Sequence, residues 1–251
     1  MASIKPITRK GKALILAYDQ GMEHGPEEDF NEKNVSPSYI IDIAKKARPT
    51  AIALGKGIAE KYKKEIRKSK IPLIVKLNGK TSLYNGEPIS RPTGTVEEAL
   101  KLNAKAVGYT IYIGSQHESE MFRDFSRIQK KAHENNLPVV LWVYPRGKAV
   151  KNEKSRKNLS YASRVGLELG ADIVKVKYNG KPKDLEWVSK AAGKTKVVIA
   201  GGTKSKEKEF LNQVEAITKS GAIGMAIGRN IWQNKDPVKI TEKIKKRIWK
   251  E

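Results

Sequence analysis

A single-domain (β/α)8 barrel, the TIM-barrel fold of the α/β class, is predicted for residues 1–251 by three features of the sequence. Eight short apolar runs recur along the chain, helical patterns fill the gaps between them, and no Ser/Gly-rich linker divides the whole. The length of 251 residues with 39% hydrophobic content suits one large domain of the size usual for this barrel. Short connections between parallel strands force right-handed crossovers. That leaves an open doubly wound sheet or a closed barrel, and eight repeats favour closure.

The runs fall at 13–18, 51–54, 71–77, 106–113, 138–144, 173–178, 197–200 and 225–227. Each is short and mainly apolar, with lysines inside only the third and the sixth, as expected of strands buried on both faces. After the first run, Ser36-Pro37 reads as an N-cap with proline at the first helical position, and Ile40, Ile43, Ala44 and Ala47 share the face that follows. Segment 78–93 is punctuated by Gly and Pro and reads as a surface loop, with a lid over the site as the alternative. Met121, Phe122, Phe125, Ile128 and Ala132 form a helical stripe before the fifth run. Ala162, Val165 and Leu169 form another before the sixth, and Ile240, Ile244 and Ile248 close the chain.

Composition narrows the chemistry. With no cysteine, disulfides and thiolate catalysis are excluded, and the three scattered histidines (His24, His117, His133) are poor material for a metal centre. No apolar stretch approaches the roughly 20 residues that span a bilayer, so a cytoplasmic protein with no membrane partner is expected. The net charge of +23 raises nucleic-acid binding as a possibility. However, the lysines are spread over nearly every helix and loop, often beside Glu as in Lys204-Ser-Lys-Glu-Lys-Glu209, and form no basic stripe. Such a surface fits a heat-adapted protein without a nucleic-acid partner, and its field would steer a small phosphorylated substrate inward.

The strand ends carry the candidate site. Lys175 and Lys177 are two apart in the apolar run Asp172-Ile-Val-Lys-Val-Lys-Tyr-Asn179, so both ammonium groups are expected on one side of a buried strand. Two like charges close together in a dehydrated interior disfavour ionisation of at least one. A neutral lysine amine is what Schiff-base chemistry on a carbonyl requires. An exposed edge strand with two wet lysines is the alternative, but Ile173, Val174 and Val176 show no polar alternation. Alternation places Trp142, Tyr144 and Arg146 on one face at the end of the fifth run, giving an apolar wall, a phenol and a fixed cation. The first run ends in Asp19 and the third in Lys76-Leu-Asn78. The last two end in Ala200-Gly-Gly-Thr-Lys204 and Gly228-Arg-Asn230, turns able to cradle a phosphate where such barrels often bind one.

These blocks, together with Leu16-Ala-Tyr-Asp-Gln-Gly-Met-Glu-His-Gly-Pro26, Lys76-Leu-Asn-Gly-Lys-Thr-Ser-Leu-Tyr-Asn-Gly-Glu-Pro88 and Ala226-Ile-Gly-Arg-Asn-Ile-Trp232, resemble the archaeal-type class I fructose-1,6-bisphosphate aldolases. The resemblance runs from the first strand to the final helix. It implies a Schiff-base aldolase of glycolysis and gluconeogenesis that needs no cofactor and no metal, assembled as a homo-oligomer, commonly a decamer. It assigns the imine-forming lysine to Lys175, proton transfer to Tyr144 and substrate orientation with assistance in proton transfer to Asp19. Substrate contacts fall on Gln20, His24, Trp142, Arg146 and Lys177, and the phosphate cradle on Ala200, Gly201, Gly202, Gly228 and Arg229. Gln20 and Ala200 depart from the histidine and serine common in relatives. Lys56, Lys80 and Arg146 remain open for the distal phosphate. The rival activities are a related lysine-dependent aldolase or transaldolase making an amino-sugar-type precursor, a class II metal aldolase, and nucleic-acid binding on a degenerate barrel.

Overall fold

A computed structural model describes residues 2–250. All eight apolar runs become strands of one closed parallel barrel: β1 (Ala13–Tyr18), β2 (Ala51–Gly55), β3 (Leu73–Lys76), β4 (Ala106–Ile113), β5 (Val139–Pro145), β6 (Ile173–Val176), β7 (Lys196–Ala200) and β8 (Gly224–Ile227). Neighbours in sequence are neighbours in the sheet, and β8 closes onto β1 with Ile227 opposite Leu16. Two strands are shorter than their runs: β3 starts only after Pro72, which has no N–H for the ladder, and β6 stops before Lys177.

The two-residue period of a strand sorts its side chains between two cores. Outward residues such as Leu14, Leu16, Ile52, Leu54, Val75, Val107, Val174 and Ile199 pack against the helices. Inward residues fill the barrel: Ile15, Ala53, Ile74, Ala106, Val140, Trp142, Ile173, Val198 and Ala226, joined by Ile7 from a 3₁₀ turn (Lys5–Ile7) ahead of β1. Small inward residues leave room for the indole of Trp142. At Gly108 the need is absolute, because a Cβ there would lie 2.6 Å from the Trp142 ring.

The predicted helical stripes face this sheet. Ile40, Ile43, Ala44 and Ala47 are buried on helix Pro37–Ala47, and Ile240, Ile244 and Ile248 on Pro237–Trp249. Each such isoleucine contributes roughly 1.5–3 kcal/mol. On Glu118–Glu134 the stripe is buried at Met121, Phe125 and Ala132 and half-buried at Phe122 and Ile128. On Arg156–Glu168 it is buried at Ala162 and half-buried at Val165, and the next member, Leu169, is half-buried at the C-cap. Ser36 is the N-cap residue with Pro37 behind it, yet its hydroxyl makes no capping bond. The side-chain caps lie elsewhere: Thr95 and Glu98 form a capping box on Val96–Lys101, Ser155 caps Arg156–Glu168, and Asp236 caps Pro237–Trp249.

Segment 78–93 is pinned and does not cover the barrel mouth. Asn78–Gly79 pairs antiparallel with Arg91–Pro92. The buried Asn78 amide donates to the carbonyls of Ser90 and Thr110 and accepts from the Thr110 N–H. Glu87, also buried, accepts from the N–H groups of Gln116 and Lys148, tying the loop to its neighbours. The tip, with Leu83 and Tyr84, stands exposed, as do Arg91, Pro92 and Thr93 at its far end. Among the described residues no helix is long and apolar enough to cross a membrane.

Candidate active site

Inward parity carries Asp19, Lys76, Thr110, Trp142, Tyr144, Arg146, Lys175 and Lys177 to the C-terminal mouth of the barrel. There they line a cavity of about 540 Å³. The volume lies in the range typical of small-ligand sites, roughly 300–1,000 Å³. The residues that the resemblance assigns to catalysis, substrate contact and the phosphate cradle all line this one cavity: Asp19, Gln20, His24, Trp142, Tyr144, Arg146, Lys175, Lys177, Ala200, Gly201, Gly202, Gly228 and Arg229.

Lys175 is 6% exposed. Burial pushes its pKa below the ordinary lysine value; Asp19 opposes the shift, while Lys76 and Arg229 add to it. Lys177 shares the inward face with Lys175, as the alternation predicted, but it is not the buried partner amine. Lys177 lies beyond the end of β6 and is ion-paired with Glu153. The second buried amine is Lys76, 7% exposed, with Nζ 3.8 Å from Asp19 Oδ2. Lys76 Nζ and Lys175 Nζ lie 5.4 and 4.9 Å from the centre of the Trp142 ring. Lys76 stood at a polar strand end in the sequence but acquired no role, because β3 and β6 are about a hundred residues apart and meet only through barrel closure.

Tyr144 sits above this floor, with the Lys177 ammonium 5.6 Å from its ring. Burial raises its pKa well above 10, and the negative charges of Asp19 and Glu23 raise it further against Arg146. The phenol is therefore held in its protonated form.

Both ends of the cavity carry cations held by carboxylates that sequence reading missed. Arg146 Nη1 donates to Glu23 Oε1 at 2.6 Å, its Nε lies 3.4 Å from Glu153, and its guanidinium lies over Tyr112. At the other end Arg229 Nη1 donates to Asp29 at 3.0 Å, and the same buried Asp29 meets His24 Nδ1 at 2.5 Å. Glu23 and Asp29 lie on short helices after β1, Gly21–His24 and Pro26–Asp29, whose polar sequences carry no periodic signal. Of the three residues open for a distal phosphate, Arg146 alone lines the cavity. Lys56 pairs with Glu60 and Glu98 away from it, and Lys80 is bonded to the Thr81 carbonyl.

The turn after β7 depends on Gly202, whose φ of +70° suits glycine. Gly201 donates its N–H to the Ala226 carbonyl at 3.0 Å, so that group is spoken for by the barrel. Asn230, a residue without an assigned role in the sequence, clamps the turn. Its amide donates to the carbonyls of Gly201 (2.9 Å) and Thr203 (2.8 Å) and accepts from the Ser205 N–H (3.0 Å). Among the described residues no group of three or more His, Asp or Glu side chains is placed to hold a metal ion.

A buried amine with depressed basicity, a phenolic acid and a carboxylate between two cationic ends can attack the carbonyl of an anionic substrate and move protons around it. The profile of DeoC/LacD family aldolases matches residues 13–234, from the start of β1 to just past the turn after β8. The chain belongs to this aldolase family. It is 46% identical, over 98% of its length and 93% of the relative's, to a fructose-bisphosphate aldolase class 1 of Thermoproteus tenax. A solved archaeal fructose-1,6-bisphosphate aldolase, with its catalytic lysine covalently bound to the carbinolamine intermediate of the substrate, is 45% identical. The two share 98% of this chain and 97% of that one with a TM-score of 0.93. A Methanocaldococcus jannaschii relative, 39% identical over 90% of this chain and 77% of its own, is a fructose-bisphosphate aldolase/6-deoxy-5-ketofructose 1-phosphate synthase. In this aldolase the family's lysine chemistry has a buried amine at Lys175 available to it.

Proposed function

We propose that this aldolase is a class I enzyme that reversibly cleaves fructose 1,6-bisphosphate into dihydroxyacetone phosphate and glyceraldehyde 3-phosphate. The observation that carries the reading is Lys175, a buried amine of depressed basicity at the floor of a cavity with a cation at either end. The neutral Nζ attacks the C2 carbonyl to give a carbinolamine, which loses water to become an iminium. Asp19 orients the substrate hydroxyls and assists removal of the C4 hydroxyl proton. The C3–C4 bond then breaks, its electron pair flows into the iminium, and the aldehyde leaves. Tyr144 delivers its proton to C3 of the remaining enamine, water hydrolyses the imine, and the amine is regenerated. The tyrosinate regains a proton through Asp19 or solvent.

At the two ends, Ala200, Gly201, Gly202, Gly228 and Arg229 shape the seat for the phosphate beside the ketone, and Arg146 and Lys177 meet the distal one. Trp142, His24 and Gln20 contact the sugar between them. In this reading the enzyme serves glycolysis and gluconeogenesis in the cytoplasm, as a homo-oligomer of a heat-adapted organism. The test is reduction by borohydride in the presence of dihydroxyacetone phosphate. A covalent adduct is expected on Lys175 and none in Lys175→Met; a wild-type protein that cleaves the bisphosphate with no adduct on Lys175 would sink the mechanism.

The double name of the Methanocaldococcus jannaschii relative favours one further activity, synthesis of a deoxy-ketosugar 1-phosphate at the same lysine. The cluster of Arg146 and Lys177 at the far end supports the bisphosphate as the better substrate. Parallel assays of the two reactions separate them by kcat/KM.

A further inference from the structure

Lys76 is a buried amine that carbon–carbon cleavage by Lys175, Tyr144 and Asp19 leaves unused. It ends β3, lines the same cavity as Lys175 and shares with it the face of one indole. Room for it is built in at Gly108, where a Cβ would lie 3.3 Å from Lys76 Cδ as well as against Trp142. The two amines differ in one respect. Lys76 has a carboxylate within ion-pair reach, Asp19 at 3.8 Å, and among the described residues Lys175 has none.

We propose that Lys76 is a positioning residue that keeps its proton against Asp19 and so holds the neighbouring Lys175 as the neutral nucleophile. A buried cation beside a second amine disfavours a second proton there. Burial lowers the basicity of both amines, Asp19 and Glu23 oppose this at both, and Lys76 and Arg229 press Lys175 further down. The remaining charges that face the floor are matched locally. Glu23 is bonded to Arg146, Glu153 to Lys177, and Asp29 to Arg229 and His24. Tyr144 and Tyr112 are phenols whose pKa values burial raises, so they add no charge. Lys76 with Asp19 is then the ion pair nearest the nucleophile.

Removing the Lys76 charge has two effects of the same sign. The repulsion on a protonated Lys175 disappears, and Asp19, no longer shared, favours that proton. Lys76→Met therefore moves the acid limb of imine formation to higher pH. The proposal rests on Lys175 carrying the imine, and the experiment keeps the two questions apart. The rate of adduct formation with dihydroxyacetone phosphate and cyanoborohydride is followed by mass across pH, and the modified lysine is located by peptide mapping.

In the wild type the adduct is expected on Lys175. In Lys76→Met its rate falls several-fold at pH 7 and recovers on the alkaline side, and Lys76→Arg keeps the limb in place. Lys76→Gln serves as a second uncharged variant should the methionine fail to fold. An uncharged variant that is slower by the same factor at every pH, or whose limb moves to lower pH, overturns the role of Lys76. An arginine variant displaced as far as the uncharged ones does the same. Absence of a wild-type adduct on Lys175, or its appearance on Lys76, overturns the Schiff-base assignment itself.

Discussion

Burying an amine costs folding free energy for as long as the unfolded chain can carry the proton that the folded chain gives up. The folded pKa of Lys175 is lowered, mainly by burial, below the value of about 10.4 for a free lysine. Between those two values the unfolded state binds more protons, so the native state gains stability as pH rises; below both, the penalty is complete. Lys175→Met removes that penalty. Its melting temperature is therefore expected above the wild type at pH 7, by about 2–4 °C per kcal/mol for a chain of this size, with a smaller gap at pH 9. Thermal scans at the two values decide it, and a gap that is constant or grows with pH counts against the buried neutral amine. Tyr144→Phe makes the complementary test of the acid. Loss of one general acid is worth roughly 10²- to 10⁴-fold, so cleavage should fall by that order while imine trapping on Lys175 persists. Lys175 and Tyr144 stood out in the sequence as cavity residues because a charged residue inside an apolar run, or a phenol before Pro-Arg, contradicts its surroundings. Lys76, Glu23, Asp29 and Glu153 were not, since their meaning lies in partners on other strands and loops.

Eight strands could be located because each is buried over most of both faces, which leaves a mainly apolar run in the sequence, broken by charge only at the lysines of β3 and β6. Short elements leave no such trace. The helices Gly21–His24 and Pro26–Asp29 are a single turn each, and helix Lys56–Lys61 is separated from Lys63–Ser69 by Tyr62 within a lysine-rich stretch. The signal at Ser36-Pro37 located the start of its helix correctly, although the Ser36 hydroxyl makes no capping bond there. The glycine turn after β7 was visible as Gly201-Gly202, but the side chain that fixes it comes from the next connection. Asn230 satisfies two carbonyls and one N–H there. Asn230→Ala leaves the buried Gly201 carbonyl and two half-buried backbone groups without this partner, at a cost of about 1–3 kcal/mol. The expected result is a lower melting temperature and a rise in KM for phosphorylated substrate larger than any fall in kcat. A variant that lost kcat alone would show that the clamp does not shape the phosphate seat.

Across the whole molecule, the charge of +23 has to be placed before it can be given a role. Inside the cavity the cations are largely matched, Arg146 and Lys177 by Glu23 and Glu153, and Arg229 by Asp29. The excess therefore sits on the outer helices and loops, where pairs such as Asp42–Lys46 and Glu215–Lys219 account for only part of the lysine content. Such a surface acts at long range, drawing small anions toward the barrel without committing any one lysine to them. It also follows that salt weakens the attraction, since the screening length shrinks from about 30 Å at 0.01 M to about 8 Å at 0.15 M. The kcat/KM for fructose 1,6-bisphosphate should fall several-fold over that range. Imine trapping with uncharged dihydroxyacetone supplies the control, because the same lysine reacts with no phosphate to steer, and its rate should hold. If both reactions lose speed in parallel, salt acts on the floor of the site and the outer charge has no steering role. If neither changes, the surface lysines belong to solubility and heat resistance alone.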